Sequence, residues 1–217
     1  FVDLRPNLVA LACVAGLFWL IHESRLKTMM IWPAAFLVTC WAHLHGSVIY
    51  GVGMLAAWFL CQTLQEFVQA SKPNYKRILS FGLAVPAAFL AGVWTSPYGL
   101  EIYRYTFSVG ESRIWRSVAE WLPIWVAAPF GNVINYFCIL ICFGALLAFF
   151  LAQKMEQKPK QSAKSWLMDH PGMGEKLFDL ILILMTMVMA FTARRFIPLS
   201  VLVLLPVFCA IAWQTIG

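Results

Sequence analysis

Residues Met29–Leu64 read MMIWPAAFLVTCWAHLHGSVIYGVGMLAAWFLCQTL, and they admit two readings. Taken whole, the stretch is one tilted helix far longer than the roughly 20 residues a bilayer asks for. Broken at His43-Leu44-His45-Gly46, it is a hairpin of two apolar helices, Met29–Trp41 and Gly46–Leu64. Charge decides between them. Lys27 and Lys72 flank the stretch, and both can face the cytoplasm only if an even number of spans separates them. The hairpin meets that condition and the single helix does not.

The rest of the chain follows the same grammar. Apolar residues make up 61% of the sequence and charged residues 12%, with a mean hydropathy of +0.76. That balance excludes an ordinary soluble domain and, with it, a nucleic-acid-binding role. Ten-residue alternating segments, the mark of a membrane β-barrel, are absent from the sequence. Besides the hairpin, the apolar segments are Asn7–His22, Ile78–Trp94, Asn132–Gln153, Leu177–Ala193 and Phe196–Trp213. The expected fold is therefore all-α: a polytopic transmembrane helical bundle of about seven spans over residues 1–217, with the residues before Asn7 outside. Position 1 is Phe, and no charged leader precedes it, so a piece of a larger membrane protein is expected.

This topology sorts the 16 Lys and Arg residues. Arg25, Lys27, Lys72, Lys76, Arg77, Lys154, Lys158, Lys160, Lys164 and Lys176 fall inside, as the positive-inside rule requires. Arg5, Arg104, Arg113, Arg116, Arg194 and Arg195 fall outside, so every lysine is inside and every outer cation is an arginine. Arginine keeps its charge and offers a planar fork of donors matched to phosphate or carboxylate. For Arg104 and Arg116 a plain ion pair competes with that reading, with Glu101 at i,i+3 and Glu120 at i,i+4. Arg194 and Arg195 have no acidic neighbour in sequence and stand at the mouth of two spans, where an anion contact is expected.

The outer loop, residues 95–131, reads as two interfacial helices. Leu100, Tyr103 and Phe107 form one stripe, leaving Glu101, Arg104 and Ser108 on another face. Ile114, Val118, Trp121 and Trp125 form a second, with Arg113, Arg116 and Glu120 displaced from it. Such helices lie along a membrane surface with the apolar face down, and an aromatic belt there needs no ligand. Pro97 and Gly99 turn the chain into the first helix; Pro123 and Pro129 close the second.

Residues 154–176 are a solvated inner connection rich in Lys, Gln, Ser and Pro. Pro33, Pro86 and Pro206 lie within spans and are expected to kink them. Gly46, Gly51 and Gly53 are expected to permit close helix packing. The six cysteines sit in or beside apolar runs without a CxxC pair, as small buried hydrophobes do. His43 and His45, two residues apart, do not share a helical face; capping at the interface outweighs metal ligation, and no metal is assigned. Hydrogen bonding of these imidazoles to a sugar or phosphate oxygen is an intermediate option. His22 and His170 fall inside and receive no role.

Several short motifs in order carry a resemblance: Arg5-Pro6, Trp41-Ala42-His43-Leu44-His45-Gly46, Ser96-Pro97-Tyr98-Gly99, Glu120-Trp121, and Ala193-Arg194-Arg195-Phe196-Ile197-Pro198-Leu199. Together they are similar to a family of bacterial polytopic membrane proteins grouped with the GT-C glycosyltransferases, which include the protein mannosyltransferases and aminoarabinose-type transferases. The chain departs from the family pattern at His43 and Ser96, where Asn is usual. The resemblance implies a transferase that takes a sugar from a polyprenyl phosphate at the outer face of the bacterial inner membrane. It implies a catalytic carboxylate in an outer loop upstream of Phe1; Asp3 reads as a helix-flanking residue. On this reading Arg194, Arg195, Arg104, Arg113 and Arg116 would face the donor phosphate, and His43, His45, Tyr98, Glu101, Glu120 and Trp121 the substrate. Partners would be membrane lipid and the lipid-linked sugar, and a divalent metal stays open as cofactor. Two other classes compete. A transporter or flippase would place ionisable groups at mid-membrane depth, and a non-catalytic scaffold would show small-residue helix faces without an outer cavity.

Overall fold

The structure, a computed structural model, describes residues 6–69, 72–109, 143–144, 172–192 and 202–203. The chain divides into two compact units, Phe1–Glu111 with Pro171–Phe178, and Ser112–His170 with Asp179–Gly217. Each is treated by itself, and the packing below belongs to the first.

Six α-helices are described: α1 (Pro6–Leu26), α2 (Ile31–Leu44), α3 (Val48–Gln69), α4 (Tyr75–Thr95), α5 (Glu101–Val109) and α6 (Met173–Thr192). A single turn of 3-10 helix, Thr28–Met30, leads into α2. Among the described residues three helices are long and apolar enough to cross a bilayer: Leu8–Leu26, Val48–Gln69 and Tyr75–Thr95; the stretch Thr28–Leu44 is apolar but shorter. By length and composition this is a multi-pass membrane protein. Of the expected spans Asn132–Gln153 and Phe196–Trp213 only residues 143–144 and 202–203 are described, and the rest lies outside the described residues.

The Met29–Leu64 stretch is a hairpin, broken where the sequence places the break. α2 ends at Leu44, His45 turns to an extended conformation, and α3 restarts at Val48. Small residues explain how the shorter arm packs. Ala34, Ala35, Val38 and Ala42 are fully or nearly fully buried on α2, and α2 packs chiefly on α4 and α1. Gly51 of α3 lies against the Trp41 ring and Val38; an added Cβ would come within 3.0 Å of that ring. Gly53 faces open space instead, so of these two glycines, two residues apart, only Gly51 serves the close approach.

The core is aromatic at one level. Trp58 sits edge-on to Phe81 and to Phe178, with ring centroids 6.2 and 5.1 Å apart, and His22 tilts against Trp58 and Phe178. Edge-to-face pairs of this kind add to simple burial. On the outer faces large apolar side chains stay uncovered, among them Trp19, Phe36, Leu60, Leu79 and Leu90. In water such a belt would be a liability; against acyl chains it costs nothing.

Two proline expectations resolve differently. Pro33 falls in the first turn of α2, where no partner exists for a backbone N–H in any case, so the ring imposes no break. Pro86 lies inside α4, which continues unbroken from Tyr75 to Thr95. Pro206 lies outside the described residues.

Candidate functional site

One end of the first unit gathers the two turns singled out in the sequence. The Ser96-Pro97-Tyr98-Gly99 turn closes with the Gly99 N–H donating to the Ser96 carbonyl at 3.0 Å. Gly99 has a φ of +52°, a left-handed conformation that glycine adopts without a steric cost. Ser96 is buried. Its Oγ donates to the Ala42 carbonyl of α2 at 3.4 Å and accepts from the Tyr98 N–H at 3.3 Å. The turn after α4 is thereby tied to the end of α2.

Both imidazoles of the His-Leu-His turn serve that same end. The Thr95 hydroxyl donates to the Ala91 carbonyl at 2.7 Å, so at 2.9 Å it accepts from His43 Nε2. That assigns the Nε2–H tautomer to His43 through its hydrogen bond. His45 Nδ1 accepts from the Ser47 N–H at 3.0 Å and lies 2.7 Å from Ser47 Oγ. The two rings thus have different partners, fifty-two and two residues away. Among the described residues no group of three His, Cys, Asp or Glu side chains is placed to hold a metal ion.

Helix α5 lies beside these turns. Ile102 and Tyr103 are buried, while Glu101, Arg104, Tyr105 and Ser108 are exposed. Glu101, Arg104 and Ser108 are exposed as expected, but of the expected apolar stripe only Tyr103 is buried: Leu100 is exposed, and the side chain of Phe107 lies outside the described residues. Tyr103 stacks against Phe89 of α4 at 4.7 Å, and its hydroxyl passes so close to Gly92 that a Cβ there would sit 2.7 Å away. That hydroxyl is buried without a hydrogen-bond partner, and burial raises its pKa above the ordinary phenol value. Arg104 Nη1 donates to Glu101 Oε1 at 2.7 Å, with both side chains about two-thirds exposed. The local ion pair is therefore formed at Arg104, and at this exposure it contributes little to stability. Tyr98 is exposed. Arg113, Arg116, Glu120, Trp121, Arg194 and Arg195, with the second interfacial helix Ile114–Trp125, lie outside the described residues.

The opposite end holds a polar network that the sequence did not reveal. Arg25 at the end of α1 pairs with Glu175 at the start of α6 at 2.8 Å. Arg77 at the start of α4 reaches Glu66 of α3 at 3.4 Å, Gln62 at 3.1 Å and the Arg25 carbonyl at 3.4 Å. The Gly174 N–H donates to Gln65 Oε1 at 2.7 Å. A signal was present in the i,i+4 spacing of Gln62 and Glu66 inside an apolar run, but the pairs of this network are eleven to 150 residues apart in the chain. The cations placed inside by charge counting, Arg25, Lys27, Lys72, Lys76, Arg77 and Lys176, stand at the ends of helices that meet here.

The chain matches no protein-family profile, no curated protein and no solved structure at a significant level.

Proposed function

We propose that the chain is part of a membrane glycosyltransferase-like protein that uses a polyprenyl-phosphate-linked sugar at the outer face of the bacterial inner membrane. The observation that carries this reading is the segregation of polar groups between the two ends of the bundle. The His43–Gly46 turn, the Ser96–Gly99 turn and Arg104 share one end. The Arg25, Arg77 and Glu175 network occupies the other. Among the described residues the first end carries Arg104 and no lysine, and the second carries Lys27, Lys72, Lys76 and Lys176, as an outward-facing phosphate site over a cytoplasmic base would.

In such a reaction the donor phosphate is the leaving group, so cations beside it stabilise charge that grows in the transition state. A base takes the proton of the acceptor hydroxyl; that carboxylate is sought upstream of Phe1. Arg194 and Arg195 are assigned the phosphate, with Arg104, Arg113 or Arg116 beside them. Arg104 reaches it only by leaving Glu101, an exchange that costs little for so exposed a pair.

The competing reading, a transporter, calls for charges deep inside the spans. In α1, α3 and α4 the charged side chains lie within a turn or two of the helix ends: Glu23 and Arg25, Glu66, Lys76 and Arg77. That distribution favours the transferase. The test replaces Arg194 and Arg195 by Gln in the full-length protein and follows consumption of the lipid-linked sugar. A fall in turnover of about 100-fold or more is expected for loss of transition-state charge stabilisation. Unchanged turnover removes both residues from the mechanism.

A further inference from the structure

The network at the lysine-rich end contains one guanidinium that is poorly supplied with acceptors. Arg25 and Arg104 hold their carboxylates at 2.8 and 2.7 Å, the usual length of about 2.7–2.9 Å for a charge-assisted bond. Arg77 meets Glu66 and the Arg25 carbonyl only at 3.4 Å, and its buried Nε has no partner. It lies 5.5 Å over the Phe81 ring.

Three more buried groups on the same two helices, α3 and α4, lack partners: Gln62 Nε2, Trp58 Nε1 and Ser80 Oγ. Their placement is linked. Gln62 is 2% exposed and accepts from Arg77 Nη2 through Oε1, which fixes its amide so that Nε2 is the end left over. Trp58 stands one turn before Gln62 on α3 and packs on Phe81. Ser80 stands three residues after Arg77 on α4. Trp58, Gln62 and Arg77 contribute N–H groups that can only donate, and Ser80 can donate as well. What this seam lacks is an acceptor, and unmet buried donors are rare enough in proteins to call for one.

Charge narrows the choice. Among the described residues of the first unit, this end carries Arg25, Lys27, Lys72, Lys76, Arg77 and Lys176 against Glu23, Glu66 and Glu175. Arg77 stands two residues into α4, and Glu66 three residues from the end of α3, which is the depth of lipid headgroups when these helices span. We propose that the α3–α4 seam around Arg77 binds a phosphate group, with Arg77 supplying the charge and Trp58, Gln62 and Ser80 the neutral donors. A phospholipid headgroup and a soluble phosphate ester share this chemistry. The site lies at the end of the bundle opposite Arg104 and does not rest on the transferase reading.

Thermal unfolding of the full chain in uncharged detergent tests it, using phosphatidylglycerol, diacylglycerol (acyl chains without a phosphate) and inorganic phosphate as separate additions at fixed ionic strength. Trp58→Phe with Ser80→Ala removes two of the donors while keeping most of the packing. Phosphatidylglycerol at a hundredfold excess over its Kd is expected to raise the midpoint of the parent chain by about 5 °C. Less than half of that shift is expected in the double variant, each shift being read from the variant's own lipid-free midpoint. A shift with phosphatidylglycerol alone assigns the phosphate to a headgroup, and one with inorganic phosphate as well assigns it to either source; both uphold the site. Equal shifts with diacylglycerol and phosphatidylglycerol, no shift with either phosphate probe, or a full shift in the double variant overturn it.

Discussion

Tyr103 and Gly92 make the end of the bundle that holds the two turns testable one side chain at a time. The Tyr103 hydroxyl is buried and unpartnered, so removing it relieves an unmet desolvation cost. Tyr103→Phe is expected to raise stability at neutral pH by about 1 kcal/mol, measured as a higher unfolding midpoint. Burial holds the phenol protonated above its ordinary pKa. The unfolded chain loses its proton first as pH rises past about 10, so stability falls from there through the folded-state pKa. That alkaline loss should be absent from Tyr103→Phe. Gly92→Ala places a methyl 2.7 Å from the same hydroxyl and 3.1 Å from the Ala42 Cβ, and is expected to cost about 1–3 kcal/mol. Combining it with Tyr103→Phe should recover more than half of the loss, which a double-mutant cycle reads directly. At this scale the sequence is only partly legible. Gly51 and Gly53 look alike in a string of small residues, yet only Gly51 meets a neighbour, because their Cα–H bonds point to different helix faces.

Among the elements, the first turn of α6 shows which contacts matter. Its ion pair joins Glu175 to an Arg25 that is almost half exposed, so Arg25→Gln should cost less than about 1 kcal/mol. Gly174 is different. A Cβ there would lie 2.6 Å from Gln65 Oε1 and 2.9 Å from the Cys61 carbonyl. The second of these is backbone and cannot swing away. Gly174→Ala is expected to cost about 2–3 kcal/mol and to expose the start of α6 to protease, whereas Arg25→Gln leaves the cleavage pattern unchanged. Helix identity was readable from the apolar runs, but helix ends were not. Ile78–Trp94 became Tyr75–Thr95, and Gly46–Leu64 became Val48–Gln69. Backbone hydrogen bonding carries a helix on through Gln65, Glu66, Lys76 and Arg77, which hydropathy alone excludes. The break at His45 was readable because charge on either side demanded it.

For the molecule as a whole, the polarity argument joins charge pattern to function. The lysine-bearing helix ends meet at one end of the first unit, and the two turns meet at the other, across contacts the sequence only implied through an even count of spans. The pairing of Arg77 with Gln62 and of His43 with Thr95 was not legible, since neither leaves a periodic trace. The proposed function requires the arginines of the 95–131 loop and the Arg194/Arg195 pair to share the outer face. Single-cysteine labelling tests it most directly: Ser108→Cys, Arg195→Cys and Lys72→Cys are each introduced with the native cysteines replaced, and intact cells are treated with a membrane-impermeant maleimide. The account predicts that positions 108 and 195 react in intact cells and that position 72 reacts only after permeabilisation. Labelling of 108 and 195 from opposite sides would contradict it, for then no single phosphate site could use both sets of arginines.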